Sequence, residues 1–305
     1  MQERYVNPFT DFGFKKLFGE ESSKDILKDF LGELLPEKGK IKKIKFLKTE
    51  HLGNAQEDRK AIFDLYCENE KGEKFIVELQ KAKKKFFKDR SLYYATFAIQ
   101  EQAIKGDWNF QLNPVYTISI MDFVFDDNST DFITNVQLVK TKDCSIFNDN
   151  LRFIYVEMPK FTKKEKELTT RLDKWLFVLK NLWLLDDVPA KIKDKIFLKL
   201  FGKAEVANYT PQQQMAYQDS LKYARDFKDV VDTAVEESAE KFIKQGIKQG
   251  IKQGMEQGIE LGIELGEVKV KNTLISIAII LKNEGESMEK ISKITGLSEE
   301  EIKNL

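Results

Sequence analysis

The chain is poor in the residues that build several common kinds of site. Its 305 residues include two cysteines, Cys67 and Cys144, and one histidine, His51. Two cysteines cannot build a framework of several disulfides or a cysteine-based zinc site. A single histidine excludes a histidine-rich metal site and leaves Ser-His catalysis with one candidate. We expect His51 to be a strand-end or loop residue.

The sequence also lacks a long uncharged apolar run and a signal-peptide pattern. Because a membrane-spanning helix needs roughly 20 mostly apolar residues, we expect a soluble, cytoplasmic protein with no membrane partner. Net charge excludes little, since 50 Lys and Arg balance 50 Asp and Glu. The distribution of charge along the chain is therefore more informative than its sum.

Residues 59–80 predict a β-hairpin around which the first half of the chain is organised. Apolar and polar residues alternate in 61–68 and again in 74–80, which is the period of a strand. Between the two runs, a three-residue loop at 70–72 would place Gly72 in the left-handed conformation that such loops favour.

That loop fixes the register of the hairpin. It pairs Asn69 with Glu73, and counting back sets Asp64 directly opposite Glu78. Gln80 follows on the same face as Glu78, because side chains two residues apart share a face. A bulge would shift this register by one residue.

Facing carboxylates admit two interpretations. Asp64 and Glu78 repel each other and are costly to bury among apolar neighbours. A divalent cation turns that cost into a binding site, since Mg²⁺ takes one or two carboxylates plus substrate phosphates. The alternative is a plain hairpin with acidic residues on its solvent-exposed face, and the residues alone leave both open.

The elements around the hairpin predict an α/β domain followed by an all-helical C-terminal part. The expected order is a helix capped by Ser22 or Ser23 and ending near Leu35, a basic strand at 40–48, the two hairpin strands, a helix at 82–105 and a strand at 114–123. A strand–helix–strand crossover favours a parallel pair with a right-handed connection. Further strands are expected at 136–140 and 151–158, and helices at 163–185, 190–201 and 211–245.

A basic run follows the hairpin directly. The run 81–90 contains six basic residues, Lys81 and the DNA-binding candidates Lys83, Lys84, Lys85, Lys88 and Arg90. Basic charge is unfavourable at a helix N-terminus, so we expect the run to contact phosphates, which gives salt-dependent affinity with little sequence information. The alternative is a solvated helix start.

Residues 246–266 form the one internal repeat, with a glycine at every fourth position. Each mid-helix glycine costs about 1 kcal/mol relative to alanine, and close contact with another helix would offset that cost. Since a period of four exceeds 3.6, we expect a right-handed crossing between two helices. Homo-oligomerisation is the favoured interpretation, and a flexible spacer is the alternative.

The C-terminal residues 288–305 predict two short helices. Gly296 separates them, and Ser298 with Glu301 forms a capping box. The pair is similar to a helix-turn-helix, but its second helix opens with three glutamates, which would repel phosphate. We therefore expect a packing hairpin rather than base recognition.

Three stretches carry a resemblance to a known family. Residues 7–19 (NPFTDFGFKKLFG), 63–80 (FDLYCENEKGEKFIVELQ) and 88–102 (KDRSLYYATFAIQEQ) resemble the recombination-promoting nuclease/transposase branch of the PD-(D/E)XK nuclease superfamily. The resemblance implies a core of helix, three strands, helix and strand. With the helical patterns downstream, we expect a nuclease-like domain at 1–160, a helical region packing on it at 161–240, the repeat helix at 241–268 and a small helical module at 269–305.

The resemblance also implies an activity and a set of residues. Asp64 matches the superfamily's aspartate, and Glu78 and Gln80 match its D/E-x-K pair, with glutamine where lysine is usual. Asp64, Glu78 and the backbone carbonyl of Leu79 would then hold Mg²⁺, with Mn²⁺ or Ca²⁺ as substitutes. Asp11 and Lys15 are accessory candidates, with a helix cap and a solvated charge as their plainer roles.

The implied function is a metal-dependent DNA endonuclease acting in recombination, mobile-element or defence processes. The alternative is a catalytically weak or inactive nuclease-fold protein that acts as an oligomeric DNA-binding or scaffold protein. A change at Asp64 that abolished activity but preserved folding would separate the two.

Overall fold

The fold was obtained as a computed structural model, which describes residues 3–36, 39, 41–51, 61–104, 106–125 and 128–305. The chain divides into two compact units, Met1–Asp226 and Phe227–Leu305. The helices are α1 (Asp11–Phe18), α2 (Lys24–Leu34), α3 (Phe87–Gln100), α4 (Arg171–Asn181), α5 (Lys195–Ala204), α6 (Pro211–Asn283), α7 (Met288–Thr295) and α8 (Glu299–Lys303). The strands are β1 (Ile44–Phe46), β2 (Glu50–His51), β3 (Ala61–Ile62), β4 (Leu65–Asn69), β5 (Lys74–Gln80), β6 (Val115–Met121), β7 (Ile133–Val139) and β8 (Ile146–Glu157).

Six strands form one mixed sheet in the order β1-β4-β5-β6-β8-β7. β1, β4 and β5 pair antiparallel, β5, β6 and β8 pair parallel, and β7 closes the far edge antiparallel to β8. β5 and β6 lie in the middle, and their side chains are buried almost throughout, as expected for strands covered on both faces. The expected core order of helix, three strands, helix and strand is confirmed.

Two apolar layers cover the sheet. On one face, Trp175 of α4 is fully buried and its ring contacts Phe18 of α1, Phe30 of α2 and Phe197 of α5. On the other face, α3 packs through residues such as Phe87 and Ala95. The helices that follow the sheet in sequence thus belong to its main core, together with α1 and α2.

Helix α3 begins at Phe87, five residues later than the predicted start at 82. Its first turn contains Asp89 between Lys88 and Arg90, whereas the three adjacent lysines at 83–85 precede it. Three adjacent positive charges are unfavourable at the positive end of a helix dipole, while an aspartate is favourable there. The helix also ends at Gln100 rather than near residue 105.

The predicted strand at 61–68 is two strands. β3 pairs with β2, whereas β4 pairs with both β1 and β5. The chain bends at Asp64, whose carboxylate accepts a hydrogen bond from the backbone of β5. The carboxylate of Asp64 therefore accepts the hydrogen bond that a backbone carbonyl would accept in a continuous strand.

Other boundaries differ by a few residues for local reasons. Within the predicted strand at 40–48, regular pairing covers Ile44–Phe46, and residue 40 lies outside the described part. Ser23 takes the N-cap position of α2, but its hydroxyl donates to the carbonyl of Lys16 instead of capping the helix. The predicted helix at 163–185 shortens to α4, which starts at a capping box of Thr170 and Asp173.

The second unit consists of the remainder of α6 with α7 and α8. Ala278, Ile291, Leu297 and Ile302 form its small core. Gly296 ends α7 with a φ of 73°, and the predicted capping box of Ser298 and Glu301 opens α8. Among the helices described, not one is both long enough and apolar enough to span a bilayer.

Candidate active site

The β4–β5 hairpin has the predicted register. Leu65 lies opposite Val77 and Glu68 opposite Lys74, so the same count sets Asp64 opposite Glu78. The turn closes where the amide of Asn69 donates to the carbonyl of Glu73 at 3.0 Å. Gly72 takes the left-handed conformation there, with a φ of +77°.

Asp64 and Glu78 are linked through each other's backbone. The amide N of Leu79 donates to Asp64 Oδ2 at 2.7 Å, and the amide N of Asp64 donates to Glu78 Oε1 at 3.2 Å. Each carboxylate thus satisfies a backbone donor that the bend at Asp64 removes from the strand ladder. The two acidic groups are fixed side by side at this end of the hairpin.

Glu78 is the more buried of the two, with 4% of its surface exposed. Its Oε2 accepts hydrogen bonds from Gln80 Nε2 at 3.0 Å and from Arg90 Nη2 at 3.2 Å. Burial, followed by the negative charge of Asp64, raises the pKa of Glu78 to about 8 although Arg90 opposes the shift. A second positive charge would relieve this repulsion.

The pKa of Asp64 is also raised, chiefly by burial. The amide of Leu79 lowers it, while the charges of Asp11 and Lys15 act on it in opposite directions. A raised pKa in both members of a facing pair means that the protein disfavours two negative charges at this point. Such paired perturbation is more frequent at functional sites than elsewhere.

The donor set fits a hard divalent cation held partly by protein. Two carboxylates converge here, and the N–H of Leu79 points to the same strand edge as Asp64. Because the N–H and C=O of one strand residue point to the same side, the carbonyl of Leu79 faces that edge too. The described residues contain no cluster of three or more His, Cys, Asp or Glu that could hold a metal, so further ligands would come from water and substrate, as is usual for Mg²⁺.

Asp64 opens onto a cleft of about 930 Å³. The cleft is also lined by Asp11 and Lys15 of α1, which form a 2.8 Å ion pair, and by Asp219 and Tyr223 at the start of α6. The structure thus brings both predicted accessory residues to the cleft. Thr10, not Asp11, caps α1, since its Oγ1 accepts from the amide of Gly13.

The predicted phosphate-binding residues fall into two groups. Lys83, Lys84, Lys85 and Lys88 are solvent-exposed. Arg90 instead reaches inward to Glu78, and its guanidinium carbon lies 5.0 Å from the ring centroid of Tyr94. The lysines are therefore accessible to a phosphate backbone, whereas Arg90 is part of the carboxylate cluster.

Three residues join the site that the sequence did not assign to it. Lys81 is half-buried. Burial lowers its pKa, although the negative charges of Asp11, Asp64 and Asp122 act to raise it. Its Nζ lies 5.9 Å from the ring centroid of Tyr223. The basic run had suggested only a phosphate contact for Lys81, and nothing in the sequence ties Asp219 or Tyr223 of α6 to a hairpin so far upstream.

A comparison with models of protein families matches residues 8–234 to the PD-(D/E)XK nuclease family transposase model. The match covers the sheet, α1 to α5 and the start of α6, and it contains the Asp64–Glu78 pair. Searches of curated proteins and of solved structures returned no match.

Proposed function

The chain belongs to the PD-(D/E)XK nuclease family transposases, and on this basis we propose that it is a divalent-metal-dependent DNA endonuclease. Family membership gives a nuclease- or transposase-related role. The observation that supports hydrolysis by this chain is the facing pair of carboxylates, half-buried Asp64 and buried Glu78, with Asp64 on an open cleft.

Mg²⁺ is the proposed cofactor, held by Asp64, Glu78 and the carbonyl of Leu79, with Mn²⁺ or Ca²⁺ as substitutes. A cation held there would lower the pKa of a bound water and neutralise charge that develops on the attacked phosphate. Gln80 has a positioning role. Its Nε2 donates to Glu78, which orients the amide, and its carbonyl oxygen would accept a hydrogen bond from the attacking water.

The DNA backbone is bound by the exposed lysines at 83–85 and by Lys88. Contacts of this kind release counterions, so affinity should fall steeply with salt and depend little on sequence. Lys81 and Lys15 add positive charge closer to the carboxylates, within the cleft or at its edge. Cleft and lysines together suit an extended polyanion better than a small neutral substrate.

Homo-oligomerisation through residues 241–268 is the second part of the proposal. A Cβ added at any of the repeat glycines would meet no heavy atom within 4 Å. The helix therefore offers a surface on which another helix backbone can approach closely, as small residues at four-residue spacing permit.

Cleavage of supercoiled plasmid tests the nuclease. The parent should nick DNA with Mg²⁺ and lose activity in chelator, while Asp64→Asn and Glu78→Gln should each lose at least about 100-fold, typical for removal of a group essential to catalysis. Asp131→Asn, an exposed carboxylate outside the cleft, is the matched control and should cleave like the parent. Cleavage retained by purified Asp64→Asn would place the active site elsewhere.

A scaffold function is the alternative, and one observation favours it. Glu78 is already hydrogen-bonded by Arg90 and Gln80, which partly compensates its charge without a cation. A parent that binds DNA and self-associates, but neither cleaves nor responds to divalent cations, would establish this alternative.

A further inference from the structure

Arg90 is placed differently from the other basic residues that follow the hairpin. It lies in the first turn of α3, the crossover helix between the parallel strands β5 and β6. Its side chain is 28% exposed and donates through Nη2 to Glu78 Oε2 at 3.2 Å. It therefore contacts one of the two carboxylates to which the proposed function assigns the cation.

The guanidinium is held by a second contact. Tyr94 lies one helical turn further along α3, and the guanidinium carbon is 5.0 Å from its ring centroid, within the range of a cation–π interaction. The Tyr94 ring in turn packs edge-on against Phe63, 5.3 Å away and directly before Asp64 in the chain. Arg90 is thus held beside Glu78, and its charge also acts on Asp64.

A divalent cation at Glu78 would change the balance of charge. With both carboxylates ionised, a cation and Arg90 together leave the site with a single net positive charge, which one phosphodiester neutralises. The cation also repels the guanidinium and competes with it for the same carboxylate oxygen. A guanidinium displaced in this way has a planar fork of donors that matches phosphate oxygens.

We propose that Arg90 exchanges Glu78 for a phosphate oxygen of the DNA when the cation binds, and so couples cation binding to DNA binding. The inference depends on the proposed nuclease function, because it takes Glu78 as a cation ligand. Before the cation binds, Arg90 is hydrogen-bonded to Glu78. After the exchange it contacts the substrate and is a catalytic residue.

Two binding measurements test the exchange without relying on turnover. Calorimetry gives the affinity of the DNA-free protein for Mg²⁺. Fluorescence anisotropy with a short labelled duplex gives DNA affinity with and without Ca²⁺, and a gel checks that the duplex stays intact. Parent, Arg90→Gln and Arg90→Lys are compared, with Lys88→Gln as the matched control on the same helix.

The expected pattern is specific to an exchange. Ca²⁺ should raise the DNA affinity of the parent by about 5–150-fold, the usual range for coupled sites. Arg90→Gln should bind Mg²⁺ at least as tightly as the parent, because the competitor for Glu78 is gone, yet lose most of the Ca²⁺-dependent gain. Arg90→Lys should keep part of that gain. Lys88→Gln should lose DNA affinity by the same factor with and without Ca²⁺.

Two results would overturn the inference while leaving the nuclease intact. One is weaker Mg²⁺ binding by both Arg90 variants in a protein that still folds, which would make Arg90 a support for Glu78. The other is an equal loss of DNA affinity with and without Ca²⁺, which would make Arg90 one more phosphate contact. A parent that binds no divalent cation and cleaves nothing would remove the proposed function itself, and the exchange with it.

Discussion

At the scale of single residues, the buried carboxyl group of Glu78 has the most strongly raised pKa of the carboxylate pair. It is 4% exposed, and burial together with the charge of Asp64 raises its pKa from 4.5 to about 8. Between these two pH values the folded chain keeps a proton that the unfolded chain has released. Linkage then requires the stability of the cation-free protein to fall as pH rises through this window and to level off above it.

Replacing Glu78 by glutamine should remove that dependence. The amide cannot ionise, so we expect the melting temperature of cation-free Glu78→Gln to vary less between about pH 5 and pH 9 than that of the parent, and to be higher at the upper end. Thermal melts in chelator across this range measure the effect. With saturating Mg²⁺ the decline of the parent should shrink, since ligand binding to the native state stabilises it. A parent whose stability in chelator did not fall over this window would contradict the raised pKa.

At the scale of elements, the hairpin was the part of the site that local sequence predicts best. Alternation at 61–68 and 74–80 and the glycine at 72 were sufficient for the register that sets Asp64 opposite Glu78. The break at Asp64 was not predictable, because the hydrogen bond that the amide of Leu79 donates to its carboxylate joins residues of two different strand segments. An alternating pattern reports which residues are buried, not which donor satisfies each backbone group.

The start of helix α3 and the lining of the cleft were also not predictable from the local sequence pattern. The basic run predicted a helix start at 82, but the dipole and the burial of Phe87 set it at residue 87. The inward path of Arg90, the contact of Lys81 with Tyr223 and the cleft position of Asp219 follow from packing between elements. Fold class and the carboxylate pair could therefore be predicted from sequence, whereas the residues around that pair could not.

The turn itself offers a test of the register. Gly72 has a φ of +77°, and a Cβ added there would lie 2.8 Å from Asn113 Nδ2. We expect Gly72→Ala to destabilise the protein by about 1–2 kcal/mol, the cost of a left-handed conformation for a residue with a Cβ, as measured by urea unfolding. Gly202→Ala is the matched control, since Gly202 lies in α5 with open space around it, and it should stabilise by roughly 0.5–1 kcal/mol. Equal stability of Gly72→Ala and the parent would argue against this turn.

At the scale of the whole molecule, the repeat of α6 presents a row of exposed apolar side chains in the second unit. The apolar residues that follow the glycines are well exposed, with Ile247 at 58%, Ile251 at 60% and Ile259 at 61%. Six helical glycines cost about 1 kcal/mol each relative to alanine, and a row of exposed apolar side chains is a typical interaction surface. A second copy of the chain would offset both costs.

The charges of the repeat favour one orientation of that second copy. Lysine occupies positions 244, 248 and 252, and glutamate occupies positions 256, 260 and 264. Two parallel copies would bring like charges together, whereas two antiparallel copies crossing near Gly254 would bring Lys248 of each close to Glu260 of the other. A stripe with a four-residue period rotates around an α-helix, so two copies can be in close contact only in the turns near the crossing. The charges of Lys248 and Glu260 should therefore affect association most.

Self-association should therefore depend on the repeat and on the order of its charges. We expect a chain truncated after Glu240 to lose the oligomeric state of the parent in light scattering. In the full chain, Lys248→Glu should weaken association, because it places two glutamates opposite each other across an antiparallel pair, and adding Glu260→Lys should restore it by reversing the pair. High salt should reduce the difference between these variants, since exposed charges are screened. If Lys248→Glu weakens association and the double reversal does not recover it, the copies do not pair antiparallel at Gly254. If the parent is monomeric, the glycines serve no contact between copies.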